Sequence, residues 1–143
     1  MVPIVKSLPS YIKDTNHALE IFRHFNFSGE NKLIFTIDIT SLYTVIPNNE
    51  RLQTLRFFFD QRTIKGPSSE TLLRLAELVL TLNCCSFADN HYKQVNGVAM
   101  GSKMGPSYAN LFVSYIENQL FNQFNSTKPE LYGGYIGDCI GAT

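Results

Sequence analysis

The run Leu33-Ile34-Phe35-Thr36-Ile37-Asp38-Ile39 constrains the fold more than any other stretch. It is apolar and β-branched almost throughout, the pattern of a strand buried on both faces. Asp38 breaks the pattern. A buried carboxylate costs several kcal/mol unless it is paired or bound to a metal. Two readings of Asp38 stay open on these residues. It is a paired or metal-bound acid, or it is a cap or turn acid at the strand's end, because Thr40-Ser41 follow.

A second carboxylate lies near the C-terminus. Tyr135-Ile136-Gly137-Asp138-Cys139-Ile140-Gly141 places β-prone residues on either side of a Gly-Asp step. That predicts a tight hairpin with Asp138 at its tip. Aspartate is common in turns because it bonds its own backbone, so the hairpin alone is a weak signal. Held beside Asp38 from a neighbouring strand, however, Asp138 would complete a carboxylate pair suited to magnesium and phosphoryl chemistry.

The chain has 143 residues, enough for one domain with a real core. Its content, 44% hydrophobic and 17% charged, is that of a globular chain. Net charge is zero, which argues against a strong basic footprint for nucleic acid while leaving room for a local groove. Cys84 and Cys85 are adjacent and Cys139 is remote, so the three form no even disulfide framework, and a reduced intracellular setting is expected. The N-terminus lacks a signal peptide's apolar core. The most apolar run, 72–85, is interrupted by Arg74 and Glu77 and is too short to span a bilayer.

Residues 1–13, with Pro3 and Pro9, read as an extended lead-in. Asp14-Thr15-Asn16 offers helix caps, and Ala18, Ile21, Phe22 and Phe25 share one helical face. A turn is predicted over 28–31. Pro47 ends the segment 42–46. Asn48 or Asn49 caps a helix to about Arg62, with Leu52, Leu55 and Phe59 inward. After a loop at Lys65-Gly66-Pro67, Ser68-Ser69-Glu70 opens a leucine-rich helix to about Leu82, expected to be deeply buried. Residues 86–88 and 91–95 flank Asp89-Asn90 as a short hairpin. Asn96-Gly97 breaks the strand, and 98–106 is a small-residue loop whose glycines allow close approach of backbone or ligand. Pro106 suits the first turn of a helix over 107–124, with Ala109, Phe112, Val113, Ile116 and Leu120 inward. A loop over 125–130 precedes the final hairpin.

The order of these parts resembles motifs A, B and C of the reverse transcriptase palm. Motif A is carried by Asp38 followed by Ser41-Leu42-Tyr43-Thr44 and Ile46-Pro47. The approach to motif B is Tyr92-Lys93-Gln94-Val95-Asn96-Gly97-Val98-Ala99-Met100-Gly101-Ser102, continued by Gly105-Pro106-Ser107-Tyr108-Ala109-Asn110-Leu111-Phe112. The wording is most similar to Penelope-like retroelement polymerases, relatives of the telomerase catalytic subunit. The resemblance runs from about residue 7 to the end, and the three motifs together are very specific.

The resemblance implies an α+β polymerase palm, an antiparallel sheet with helices packed on one face, with partial fingers and no thumb. Residues 1–32 would be a fingers and palm lead-in, and 33–143 the palm. It implies templated nucleotidyl transfer by a two-metal mechanism with Mg2+. The partners would be an RNA template, a DNA primer and deoxynucleoside triphosphates, in a nuclear or cytoplasmic setting and not at a membrane. Asp38 and Asp138 would be the catalytic metal ligands. Tyr43 would pack under the incoming sugar, and Gly101 would lie beneath the template and nucleotide. Gln94, Gly97, Met100 and Ser102 would contact template and primer. One departure is central: the family's hairpin carries an aspartate, a direct metal ligand, where this chain has Gly137. Glycine supplies no oxygen, so an impaired enzyme is expected, or a non-catalytic palm remnant that at most binds nucleic acid. Lys103 and Gly133-Gly134 are milder departures.

Overall fold

The computed structural model describes residues 1–28, 30, 32–47, 50–63, 66–123 and 128–143. The turn residues Gly29 and Asn31, the cap at Asn48 or Asn49, Lys65, and the helix end and loop over 124–127 lie outside the described residues.

The elements are α1 (Val2–Lys6), α2 (Thr15–His24), β1 (Ile34–Asp38), α3 (Leu42–Val45), α4 (Arg51–Gln61), α5 (Ser69–Thr81), β2 (Cys84–Phe87), β3 (Asn90–Lys93), α6 (Gly105–Gln123), β4 (Leu131–Tyr135) and β5 (Asp138–Ala142). This is a mixed architecture of helices and antiparallel sheet. Among the described residues, no helix is long and apolar enough to cross a membrane.

Local chemistry accounts for several boundaries. The Asp14 side chain accepts the His17 N–H at 2.9 Å and starts α2. Ser68 does the same for α5, accepting from Thr71 N–H at 3.1 Å. The expected extended lead-in instead begins with α1. Pro3 sits in its first turn, where the missing N–H has no helical partner to lose.

The core lies among α1, α3, α4, α5 and α6. Ile46, Leu55, Leu111 and Tyr108 are fully buried there, with Leu73, Leu80 and Val98 around them. Each such aliphatic side chain contributes about 1.5–3 kcal/mol by leaving water. Leu55 and Phe59 point inward as the periodicity predicts. Helix α5 is less buried than expected. Only Leu73, Ala76 and Leu80 are covered, while Leu75, Leu78, Val79 and Leu82 stay exposed. A helix packed on one side hides one stripe, however many leucines it carries.

β1, β5 and β4 form one antiparallel sheet in that order, and β2 pairs with β3 in a separate ribbon. The outer edge of β4 is covered by residues 10–12. Gly134 N–H donates to Ser10 O at 2.6 Å, and Ile12 N–H to Gly134 O at 2.9 Å. Gly133 permits this docking, because a Cβ there would lie 2.7 Å from Ile12 Cδ1. β1 is not buried on both faces. It is the sheet's other edge, and Leu33, Ile34 and Ile37 are exposed, so its β-branched run reports strand geometry rather than burial.

The β2–β3 turn falls on Ala88-Asp89, one residue earlier than predicted, with φ of 47° and 60°. Both central residues are left-handed, as a type I′ hairpin requires. Asn90 begins β3, and its side chain donates to Ala88 O at 3.0 Å.

Candidate functional site

Asp38 and Asp138 face each other across β1 and β5. Ile39 N–H donates to Gly137 O at 2.9 Å, and Leu33 and Thr143 exchange both backbone bonds at 3.0 Å. This phase makes Asp38–Asp138 a non-hydrogen-bonded pair, the position where opposed Cα atoms approach to about 4.5 Å and side chains are closest. Both residues are exposed. Like charges directly opposite on a sheet destabilise it by roughly 0.2–1 kcal/mol, so nothing in the fold itself favours two acids here.

Tyr135 pairs with Asp138 on the far side, so Asp38, Asp138 and Tyr135 form a row across three strands. They line a cavity of about 510 Å³ with Asp14, Thr15 and Ala18 of the α2 start, and Thr36 and Ile140 of the sheet. Helix α2 therefore borders this face, and α6 lies behind the other. Helices flank both faces of the sheet rather than the one expected.

Asp138 is not at the hairpin tip. The turn residues are Ile136 and Gly137, and Asp138 is the first residue of β5. Ile136, not the glycine, takes the left-handed conformation, at φ 56°. Its N–H donates to Asn110 Oδ1 of α6 at 3.3 Å, and Asn110 Nδ2 donates to Pro106 O at 2.8 Å.

Tyr43, on α3, does not line the cavity containing Asp38. Its ring lies against Gly105, with Cε1 3.5 Å from where a Cβ would stand, and its backbone oxygen accepts Val98 N–H at 2.7 Å. Partial burial, and then the nearby Tyr135 phenol, push the Tyr43 hydroxyl above its ordinary pKa. The remaining residues singled out in the sequence divide into two groups. Gly97 is buried against the Tyr43–Thr44 backbone, and Ser102 Oγ accepts Gly105 N–H at 3.0 Å where α6 begins. Gln94 is tied locally, its Nε2 donating to Asn96 O at 2.8 Å. Gly101 and Met100 are exposed, and a Cβ at Gly101 would meet nothing within 4 Å.

Sequence reasoning missed a polar cluster behind the sheet. Glu117 of α6 is buried and accepts from Ser10 Oγ at 2.7 Å and Tyr132 Oη at 2.8 Å, clamping the N-terminal segment, the helix and β4 together. A signal exists: Glu117 follows Val113 by four residues, on the apolar stripe of the helix. Replacing it with leucine strands two hydroxyls, so Glu117→Leu is expected to lose about 2–4 kcal/mol in chemical denaturation, with Glu117→Gln retaining most of it.

Tyr132 and Cys139 both hold their protons more tightly here than in water. Burial is the main cause for each, and the Glu117 carboxylate adds to it. Both folded pKa values lie above the ordinary 10.0 and 9.0, so their contribution is fully present below those values and is lost as pH rises through the folded ones. The melting temperature should fall progressively above about pH 9. In a thiol assay on the native chain, Cys84 and Cys85 should react at once and Cys139 only on unfolding, because the first two are exposed and the third is buried.

Among the described residues, no group of three or more His, Cys, Asp or Glu is placed to hold a metal. No family model matches the chain, and no curated protein matches it. Solved structures do. The structure of apo telomerase from Candida tropicalis, truncated from its C-terminal domain, superposes with a TM-score of 0.80 at 13% identity, over 99% of this chain and 32% of that one. Telomerase from Candida albicans, in complex with a TWJ fragment of telomeric RNA, superposes with a TM-score of 0.76 at 12% identity, over 99% of this chain and 29% of that one. The chain thus spans about a third of the telomerases it resembles and shares their fold over nearly its whole length.

Proposed function

We propose that the chain is the palm, with a fingers lead-in, of a reverse-transcriptase-like RNA-directed DNA polymerase. Asp38 and Asp138 are its metal carboxylates. The observation that carries this is the Asp38–Asp138 pair, two exposed acids opposed at the closest cross-strand position. The telomerase fold likeness supports it at the level of architecture. The RNA in the Candida albicans structure supports nucleic acid as the partner class. Penelope-like ancestry, an RNA template with a DNA primer, deoxynucleoside triphosphates, and an intracellular setting belong to the same reading.

Two adjacent carboxylates fit one magnesium ion, which commonly takes one or two carboxylates and completes its octahedron with water and phosphate oxygens. They are fewer than a two-ion site uses in the intact family. Bound there, magnesium would neutralise charge developing on a phosphoryl group. Exposed Gly101 and Met100 leave the loop before α6 open to a strand or nucleotide, while Gly97 and Ser102 shape that loop from within. Gly137 favours the alternative of a non-catalytic remnant that keeps nucleic-acid binding.

Manganese added to isotope-labelled chain should broaden the NMR signals of residues 37–39 and 137–139 first. Asp38→Asn should weaken that binding by at least about 10-fold. Equal broadening in both proteins would remove the metal site. Salt-dependent binding of an RNA–DNA hybrid without metal binding would favour the remnant.

A further inference from the structure

We propose that Asn110 is a positioning residue, holding the hairpin tip in its left-handed turn and thereby keeping Asp138 opposite Asp38. Three observations converge. Ile136 is β-branched yet sits at φ 56°, a conformation that crowds its side chain. Its amide does not pair within the hairpin but donates to Asn110 Oδ1, on a different element. The Asn110 amide is itself fixed by Pro106 O one turn earlier, so its oxygen is aimed and not free to rotate. Strained backbone persists only where its surroundings over-determine it. The helix supplies that constraint through one side chain.

The consequence is positional. Ile136 and Gly137 are the entire loop between β4 and β5, and Asp138 follows directly. A two-residue loop has one register for each turn geometry. If the tip relaxes to the right-handed side, the start of β5 rotates and Asp138 leaves its place opposite Asp38. The inference rests on the carboxylate pair being the reactive centre, but its geometry can be read without metal or nucleic acid.

The test is NMR on the full chain. In the unmodified protein, the Hα atoms of Asp38 and Asp138 should show a strong mutual contact, as non-hydrogen-bonded pairs do. The Ile136 amide should be protected from exchange. Asn110→Ala should abolish the contact and speed Ile136 exchange by at least about 10-fold, the effect of losing one ordinary hydrogen bond. Adding Ile136→Gly to Asn110→Ala should restore the Hα contact but not the amide protection, since glycine adopts the turn unaided. A merely structural asparagine would not be rescued in this split way. Asn110→Asp keeps the acceptor but loses the amide that Pro106 O fixes, so Ile136 protection should fall between that of the unmodified protein and that of Asn110→Ala. A persistent contact in Asn110→Ala, or failure of glycine to restore it, overturns the proposal. If Asn110→Ala does not fold, Asn110→Asp is read instead, and Ile136 protection unchanged from the unmodified protein overturns the proposal. Absence of manganese binding with these signals intact would count against the proposed function alone.

Discussion

Gly137→Asp is expected to raise single-nucleotide extension by at least roughly 100-fold, the scale of one strong electrostatic contact to a transition state. The comparison is made in a polypeptide that joins this chain to the flanking fingers and thumb segments of a related polymerase. The structure gives two reasons why the substitution should be accepted. Gly137 does not use the left-handed backbone; Ile136 does. A Cβ at Gly137 would meet Ile39 O at 3.5 Å and Leu42 Cδ2 at 3.7 Å, ordinary contacts that ask nothing to move. It would emerge beside Ile39, the residue after Asp38, and beside Leu42. The unmutated polypeptide should extend little or not at all. Equal, robust extension in both would show that a third acid is dispensable.

Gly97→Ala should have the opposite effect and cost about 2–5 kcal/mol, from a left-handed backbone penalty and overpacking together. Gly97 lies at φ 71°, and a Cβ there would stand 2.7 Å from Thr44 Cα and closer still to the Tyr43 oxygen. Those are backbone atoms and cannot swing aside. Gly97 N–H to Ile46 O at 3.3 Å and Val98 N–H to Tyr43 O at 2.7 Å lock the two segments face to face. Because α3 carries Tyr43, the damage should reach it: the Tyr43 ring signals should shift along with the loss of stability. A denaturation midpoint within about 1 kcal/mol of the unmutated chain would show that the two segments separate more easily than this packing implies.

These two glycines show what a sequence makes legible and what it does not. The tight hairpin, the long helix opened near Pro106, and the strand bearing Asp38 are legible because periodicity and turn chemistry are local. The antiparallel neighbours of Asp38 follow from requiring two acids to meet. The buried stripe of a helix is legible, as Leu55 and Phe59 show, but the burial of a strand is not. The same β-branched run suits a central strand or an edge, and only the sheet order decides between them. The Gly-Asp step predicts a hairpin with Asp138 at its tip, whereas the turn is Ile136-Gly137 and the left-handed Ile136 donates to Asn110, twenty-six residues away. The resemblance assigns Tyr43 to the incoming sugar, and its ring lies against Gly105 with the Tyr135 phenol nearby. Glu117 escapes notice because a polar residue on an apolar stripe reads as an interruption until its two hydroxyl partners, one of them 107 positions distant, are seen.

The open edge of β1 also bears on how the chain behaves in a test tube. β5 occupies one side of β1, and among the described residues no strand occupies the other. Ile34 and Ile37 stand exposed along it. Natural sheets discourage end-on recruitment by placing lysine, proline or a bulge on such an edge, and Ile34–Asp38 carries none of the three. With zero net charge, long-range repulsion between molecules is minimal near neutral pH. Turbidity of concentrated samples should therefore peak near neutrality and clear on moving the pH to either side. A single lysine at Thr36 or Ile37 should suppress it more effectively than added salt.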